Sequence, residues 1–174
     1  MHYREFFDNR NIKGGRLYMD KTKIAKESTQ KMGQIHSLTL DEAQRILAAA
    51  IQTLKTQFKA ASISIVNRDG TEIAKAIMDG VKPFTANLAL LKAKQAAWVG
   101  KPTKKTKDEI SAGKITAEVL GIDPKLLVPW AGGMPIYDQE DYLLGGIGVS
   151  NLEQEEDEMV AENATIKAGF KVRK

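Results

Sequence analysis

The chain has 174 residues, of which 43% are hydrophobic and 28% charged, with a formal net charge of +4. That length fits one domain with a sizeable core. There is no cysteine, which excludes disulfides, thiolate catalysis and Cys-ligated metals, and no apolar run approaches the roughly 20 residues of a membrane span. The opening MHYREFFDNRNIKGG has no apolar h-region of a secretion signal, so cytoplasm is the expected compartment.

Residues 1–35 are polar and basic, with a loop at Ile12–Gly15 and a short helix expected over Lys21–Lys31. Tyr3, Phe6, Phe7, Leu17 and Tyr18 make this stretch too apolar for a linker, and it reads as an arm that packs on a neighbour or on its own domain. SLTLDEAQRILAAAIQTLKTQF then opens a helix. Thr39 is a good N-cap with Glu42 completing a capping box, and Ala43, Ile46, Leu47, Ala50, Ile51, Leu54 and Phe58 recur at helical spacing. Ile63, Ile65 and Ile73 lie in alternating stretches around Asn67-Arg68-Asp69-Gly70, a strong hairpin signal. After a loop at Asp79-Gly80 and Pro83, Thr85 can cap a second helix. Its expected apolar face holds Leu88, Leu91, Ala96 and Trp98, its polar face Lys92 and Lys94, and Gly100 and Pro102 end it.

Residues 103–131 read as an extended loop with a short helix. Such a length is either a functional lid or mobile. Met134–Tyr137 is expected as a strand, Gln139–Asp141 as a turn, and Tyr142–Val149 as a buried strand. Ser150 can cap a last helix with Glu153 in a second capping box, and Met159, Ala161, Ile166 and Ala168 supply its apolar positions. The order helix, hairpin, helix, hairpin, helix is an α+β layout, an antiparallel sheet with helices on it. The lysines of residues 92–107 crowd the middle, but aromatics are few and not interleaved with them. A solvated surface explains them better than nucleic-acid binding.

The stretch GGMPIYDQEDYLLGGIGVSN raises the question of a phosphate cradle. Gly146 and Gly148 match the first two glycines of a dinucleotide fingerprint, but Asn151 stands in place of the third. The helix that follows begins with Glu153, Glu155, Glu156 and Asp157, which would repel a pyrophosphate. Gly145 and Gly146 therefore read as a strand bend or a close backbone approach. Gly132 and Gly133, at a loop mouth, stay open.

The motifs LTLDEAQRIL, SISIVNRDG, IMDG, KAKQAAWVGKPT, GGMPIYDQEDYLLGGIGVSN and EQEEDEMVAENA, in this order, resemble the GlcG/HbpS family of haem-degrading or haem-binding domains. The C-terminal domain of PduO-type proteins is similar. The resemblance covers roughly Leu38 to Lys167. It implies a profilin-like fold with a central antiparallel sheet and self-association into dimers or larger rings. It also implies haem binding in some members and an accessory role in others. The sequence departs from the family pattern at Ile77, where arginine is common, at Asn151, where glycine is common, and in the length of 103–131.

A haem site needs an axial ligand. Of the two histidines, His2 is on the arm and His36 precedes the capped helix, so His36 is the axial candidate. Met78, Met134, Tyr137 and Tyr142 are further residues that can approach an iron. No metal site is expected from two distant histidines. The ligand pocket is placed at Met78, Asp79, Gly80, Gly132 and Gly133, with Lys92 and Lys94 as cations for a small carboxylate or haem propionates. The expected function is a small ligand-binding or accessory protein without catalysis, taking haem or another tetrapyrrole. The alternative is an enzyme on a small carboxylate or hydroxy acid, with Asp79 and Asp157 as an acid–base pair.

Overall fold

The computed structural model describes residues 36–173. The expected arm at 1–35, with His2 and the short helix at Lys21–Lys31, lies outside the described residues.

The first helix, α1, runs Leu40–Thr56. The capping box forms as expected: Thr39 Oγ1 accepts from Glu42 N at 3.3 Å, and Thr39 N donates to the Glu42 carboxylate at 2.9 Å. Two donors of the first turn are thereby satisfied. The helix buries Ala43, Ile46, Ala50 and Leu54. It stops short of Phe58, which sits at φ 55° and is 99% exposed, so Phe58 does not belong to the apolar face.

The strands β1 (Ser62–Asn67) and β2 (Glu72–Ile77) form the expected hairpin. Its turn is built by Asn67, whose side-chain oxygen accepts from Asp69 N and Thr71 N, with Gly70 at φ +84°. Helix α2 covers Thr85–Val99 and ends on Gly100 in the left-handed conformation. The stretch expected as an extended loop contains α3 (Thr103–Ser111), α4 (Ala117–Leu120) and a 3-10 turn at Pro124–Leu126. A second hairpin, β3 (Gly133–Tyr137) and β4 (Leu143–Ser150), leads to α5 (Gln154–Lys167).

All three strand pairings are antiparallel and the order is β2-β1-β4-β3. The strands β1 and β4 lie in the centre. Ile63, Ile65, Met134, Ile136, Ile147 and Val149 point to one face and meet Ala43, Ile46, Ala50 and Leu54 of α1 and Val160, Ala161 and Ala164 of α5. Period-two alternation sends the intervening residues to the other face, where α2 packs with Ala93 and Ala97 on Val66. The fold is α+β with a central antiparallel sheet between one helix and two.

Two expected caps are not formed. Thr85 is the first residue of α2 behind Phe84, and its hydroxyl donates to Lys82 O at 2.6 Å and meets Ser62 Oγ at 2.8 Å. Ser150 is the last residue of β4, and α5 starts after Glu153, which makes no side-chain cap. The apolar face of α5 also differs: Val160, Ala161 and Ala164 are buried, whereas Met159 and Ile166 are exposed.

Candidate functional site

The glycines of the β3–β4 hairpin hold α2 against the sheet. A Cβ on Gly133, Gly146 or Gly148 would strike the backbone of α2 at Lys92, Ala93 or Ala89 respectively. Alanines face these glycines from the helix: Ala89, Ala93, Ala96 and Ala97 are all buried. Glycine on the strand and alanine on the helix let the two backbones touch. These glycines serve helix–sheet packing, whereas Gly145 lets β4 approach the backbone of β1 at Val66 and Asn67.

The close approach has a polar consequence. Lys92, expected on the polar face of α2, is 2% exposed and its ammonium meets Asp157 Oδ2 at 2.9 Å and Val149 O at 2.9 Å. The other carboxylate oxygen of Asp157 accepts from Leu152 N at 3.1 Å. Burial pushes the Asp157 carboxyl up and the Lys92 ammonium down, while the attraction between the two charges opposes both shifts. Gly132, at φ +112°, roofs the pair, because its missing Cβ would sit 2.7 Å from Asp157 Cβ and 2.9 Å from Lys92 Nζ. The pair ties α2, the end of β4 and the start of α5 together. Both groups are turned to each other rather than to solvent: Lys92 is buried, and Asp157 is engaged at both oxygens. No hydrogen bond joins it to Asp79, which is exposed in the β2–α2 turn.

Met78 and the Asp79-Gly80 turn follow β2 at the sheet end marked by Ser62, Ile77 and Ser150. Asn151 secures this end. Its side-chain oxygen accepts from Lys82 N at 3.1 Å and its amide donates to Ala60 O at 3.0 Å, from a backbone at φ +127°. An asparagine here accepts the unusual backbone and adds two bonds. Asn151→Gly should retain the backbone and lose about 1–2 kcal/mol of stability. Asn151→Ala should lose more, since it adds strain, and urea unfolding of the three proteins gives the order.

The segment after α2 is held firmly. Gln95 Oε1 accepts from Val128 N at 2.8 Å, and Thr103 Oγ1 accepts from Gly133 N at 3.1 Å and donates to Trp130 O at 2.8 Å. Gln95, Thr103 and Thr106 are fully buried polar residues that the sequence pattern did not mark; Gln95 and Thr103 bond to distant backbone groups, and Thr106 donates to Pro102 O within its own first turn.

His36 lies at the opposite end of the sheet. Ser37 Oγ accepts from Arg68 N at 3.5 Å and Leu38 N donates to Leu144 O at 2.9 Å. The His36 ring stacks on Tyr142 with centroids 3.9 Å apart and 16° between planes, and Nδ1 stands 3.6 Å from Asp138 Oδ2. Asp138 is itself fixed, accepting from Glu140 N and Tyr142 N. Lys171 and Arg173 approach Asp141 in the same β3–β4 turn, and the Arg173 guanidinium lies 4.8 Å from the Tyr137 ring centre. From Ser62 to Asn67 is five strand steps, about 17 Å. The structure thus separates His36 from Met78, Asp79 and Gly80. Met134 is sealed in the core, out of reach of any ligand. Lys94 stays near the surface over Trp98, 6.0 Å from its ring centre. Among the described residues there is no metal-type cluster of three or more His, Cys, Asp or Glu, and no helix long and apolar enough to cross a membrane.

Comparison with known proteins follows this geometry. The family model for "Haem degrading protein HbpS-like" matches residues 38–165. Among solved structures, Klebsiella pneumoniae protein ORFY is similar with 24% identity and TM-score 0.69, over 78% of this chain and 92% of that one. The PduOC:heme complex is similar with 22% identity and TM-score 0.70, over 79% and 99%. A double mutant of Streptomyces reticuli HbpS gives 23% identity and TM-score 0.68, over 91% and 94%. No curated protein matches. The matched span, more than half of the chain, carries the whole sheet and the helices on both of its faces, and the chain belongs to the HbpS-like family of haem-degrading proteins.

Proposed function

We propose that this chain is a small cytoplasmic accessory protein that binds haem or a related tetrapyrrole at the His36 end of the sheet. The observation that carries the reading is the setting of His36. Its imidazole is one-third exposed, stacked flat on an aromatic ring, with Nδ1 facing the carboxylate of Asp138. A carboxylate behind one ring nitrogen orients a histidine and leaves the other nitrogen to a metal. Nε2 has no partner among the described residues. The residues fit the group: His36 would hold the iron through Nε2, the half-exposed Tyr142 would lend aromatic surface, and Lys171 and Arg173, which pair with Asp141, would offer cations to propionates. Bound haem would supply the iron chemistry. The chain's own part is to bind, orient and pair charge. The HbpS-like family description and the haem complex of the similar PduOC support this assignment.

Hemin titration followed at the Soret band tests it. The wild-type protein should give a saturable, stoichiometric shift, and His36→Ala should weaken it by at least about tenfold, the loss of one metal–ligand bond being worth well over the 1.4 kcal/mol that tenfold represents. An equal shift in both proteins removes His36 from the site. No shift beyond that of an unrelated protein removes haem.

A further inference from the structure

Beyond α5, residues 169–173 run along the outer edge of β3. Tyr137 N donates to Lys171 O and Lys171 N donates to Tyr137 O, both at 2.9 Å, and Gln139 Nε2 donates to Gly169 O at 2.8 Å. This strap brings two cations to the β3–β4 turn, next to the Tyr142 ring on which His36 stacks. The Lys171 ammonium donates to Gln139 O at 2.7 Å and stands 3.5 Å from Asp141 Oδ1. The Arg173 guanidinium lies over the Tyr137 ring, and its Nη2 is 3.2 Å from the same Asp141 oxygen. Each cation thus has a second anchor that is not ionic, a carbonyl for Lys171 and a ring face for Arg173. Arg173 first, and Lys171 behind it, hold the Asp141 carboxyl below the ordinary carboxylate range. Asp141 itself sits at φ 70°, a region that aspartate and asparagine enter more readily than other side-chain-bearing residues.

We propose that Lys171 and Arg173 form a carboxylate subsite which Asp141 fills when no ligand is bound, and that Asp141 thereby selects tetrapyrroles with free carboxylates. The inference rests on the haem reading above and adds the residue that sets ligand choice. Two cations converge on one oxygen of one carboxylate, an arrangement that a propionate can take over. All three side chains are about half exposed. Exposed ion pairs are worth little, so an incoming carboxylate replaces Asp141 at small cost. The displaced Asp141 turns to water and is not left as a buried, unpaired charge. Gln139 O and the Tyr137 ring keep the cations at the turn during the exchange. A ligand without carboxylates gains nothing from them, because Asp141 keeps both.

Hemin and hemin dimethyl ester carry the same ring and iron and differ in the charge of the propionates. Titration of both, followed at the Soret band, gives the ratio of ester Kd to hemin Kd for each protein. Asp141→Asn keeps a residue that accepts the left-handed backbone and removes the competing charge. Its ratio should exceed that of the wild type by about threefold to tenfold, the range that two exposed ion pairs span. Lys171→Met combined with Arg173→Met should bring the ratio below that of the wild type by a similar factor. A purely structural role of Asp141 in the turn would move both affinities alike and leave the ratio where it was. The proposal is overturned if the wild type and Asp141→Asn give the same ratio to within about twofold, or if the double variant keeps the wild-type ratio. Where both porphyrins bind and the ratio does not move, this inference falls and the haem reading stands. Where neither gives a saturable shift, the haem reading falls and this inference with it. Asp141→Asn decides the question even if the double variant fails to fold.

Discussion

Lys92→Met is expected to destabilise the protein by about 3–5 kcal/mol, a change that on an ordinary helix surface would be nearly neutral. The substitution keeps the length and apolar stem of the side chain. What it removes is the charge that compensates Asp157, whose carboxylate is as buried as the lysine. A carboxylate left alone in that site retains the bond from Leu152 N and loses its cation. The double substitution Lys92→Met with Asp157→Leu should recover most of the loss, because neither buried charge remains. Urea unfolding of the wild type, both single variants and the double variant gives the coupling energy directly. Singles whose losses simply add in the double would show that the ion pair is not what holds this junction. A pH series adds a sign. In Lys92→Met, burial still pushes the Asp157 carboxyl above the ordinary carboxylate range, opposed now only by the backbone N–H groups of Leu152 and Asn151, so the native state binds a proton that the unfolded state has released. Stability then falls as pH rises from about 4 through the folded pKa. The deficit relative to wild type should be larger at pH 7 than at pH 4.5.

Gly148→Ala should lose at least about 3 kcal/mol, at the upper end of overpacking effects. The added methyl would collide with Ala89 O and lie 2.7 Å from Ala93 N, both backbone atoms of a rigid helix. No rotamer relieves a clash with backbone, so α2 must lift from the sheet and take Lys92 with it. Gly80→Ala is the matching control. Gly80 has φ +83° and open space where the methyl would go, so only the backbone penalty of about 1 kcal/mol applies. Equal losses at the two positions would mean that the glycine contacts do not set the helix–sheet distance.

The two arguments also mark where sequence and structure part. Local rules placed the elements. The capping box at Thr39 and Glu42, the alternation of Ile63 and Ile65, the Asn67–Gly70 turn and the buried run of β4 each depend on neighbours within a few residues, and each forms as expected. The same local rules misplaced the caps at Thr85 and Ser150. Both hydroxyls sit beside a helix start, but Thr85 turns to Lys82 and Ser62, and Ser150 completes a strand. A hydroxyl near a helix has several possible partners, and only the fold selects one.

The site was less legible than the fold. Lys92 has the look of a surface lysine on a helix, and Asp157 that of a first-turn carboxylate complementing a dipole. They are 65 residues apart, and nothing in the local pattern of either names the other. The grouping of Met78, Asp79 and Gly80 with Lys92, Lys94, Gly132 and Gly133 did not foresee that Lys92 is buried on Asp157 under Gly132 or that Lys94 lies over Trp98. His36 carried a better signal, as the histidine just before the capped helix, but its stacking on Tyr142 and its approach to Asp138 come from the way the strand pair brings a distant turn to it. By itself the sequence determined the family, the order of elements and the alternating core, because periodicity and turn chemistry act over short spans. Only the tertiary structure decided that the glycines pack a helix, that one lysine is buried, and that two candidate sites stand at opposite ends of the sheet. Those outcomes depend on long-range approach distances, which side-chain volumes and strand register fix together.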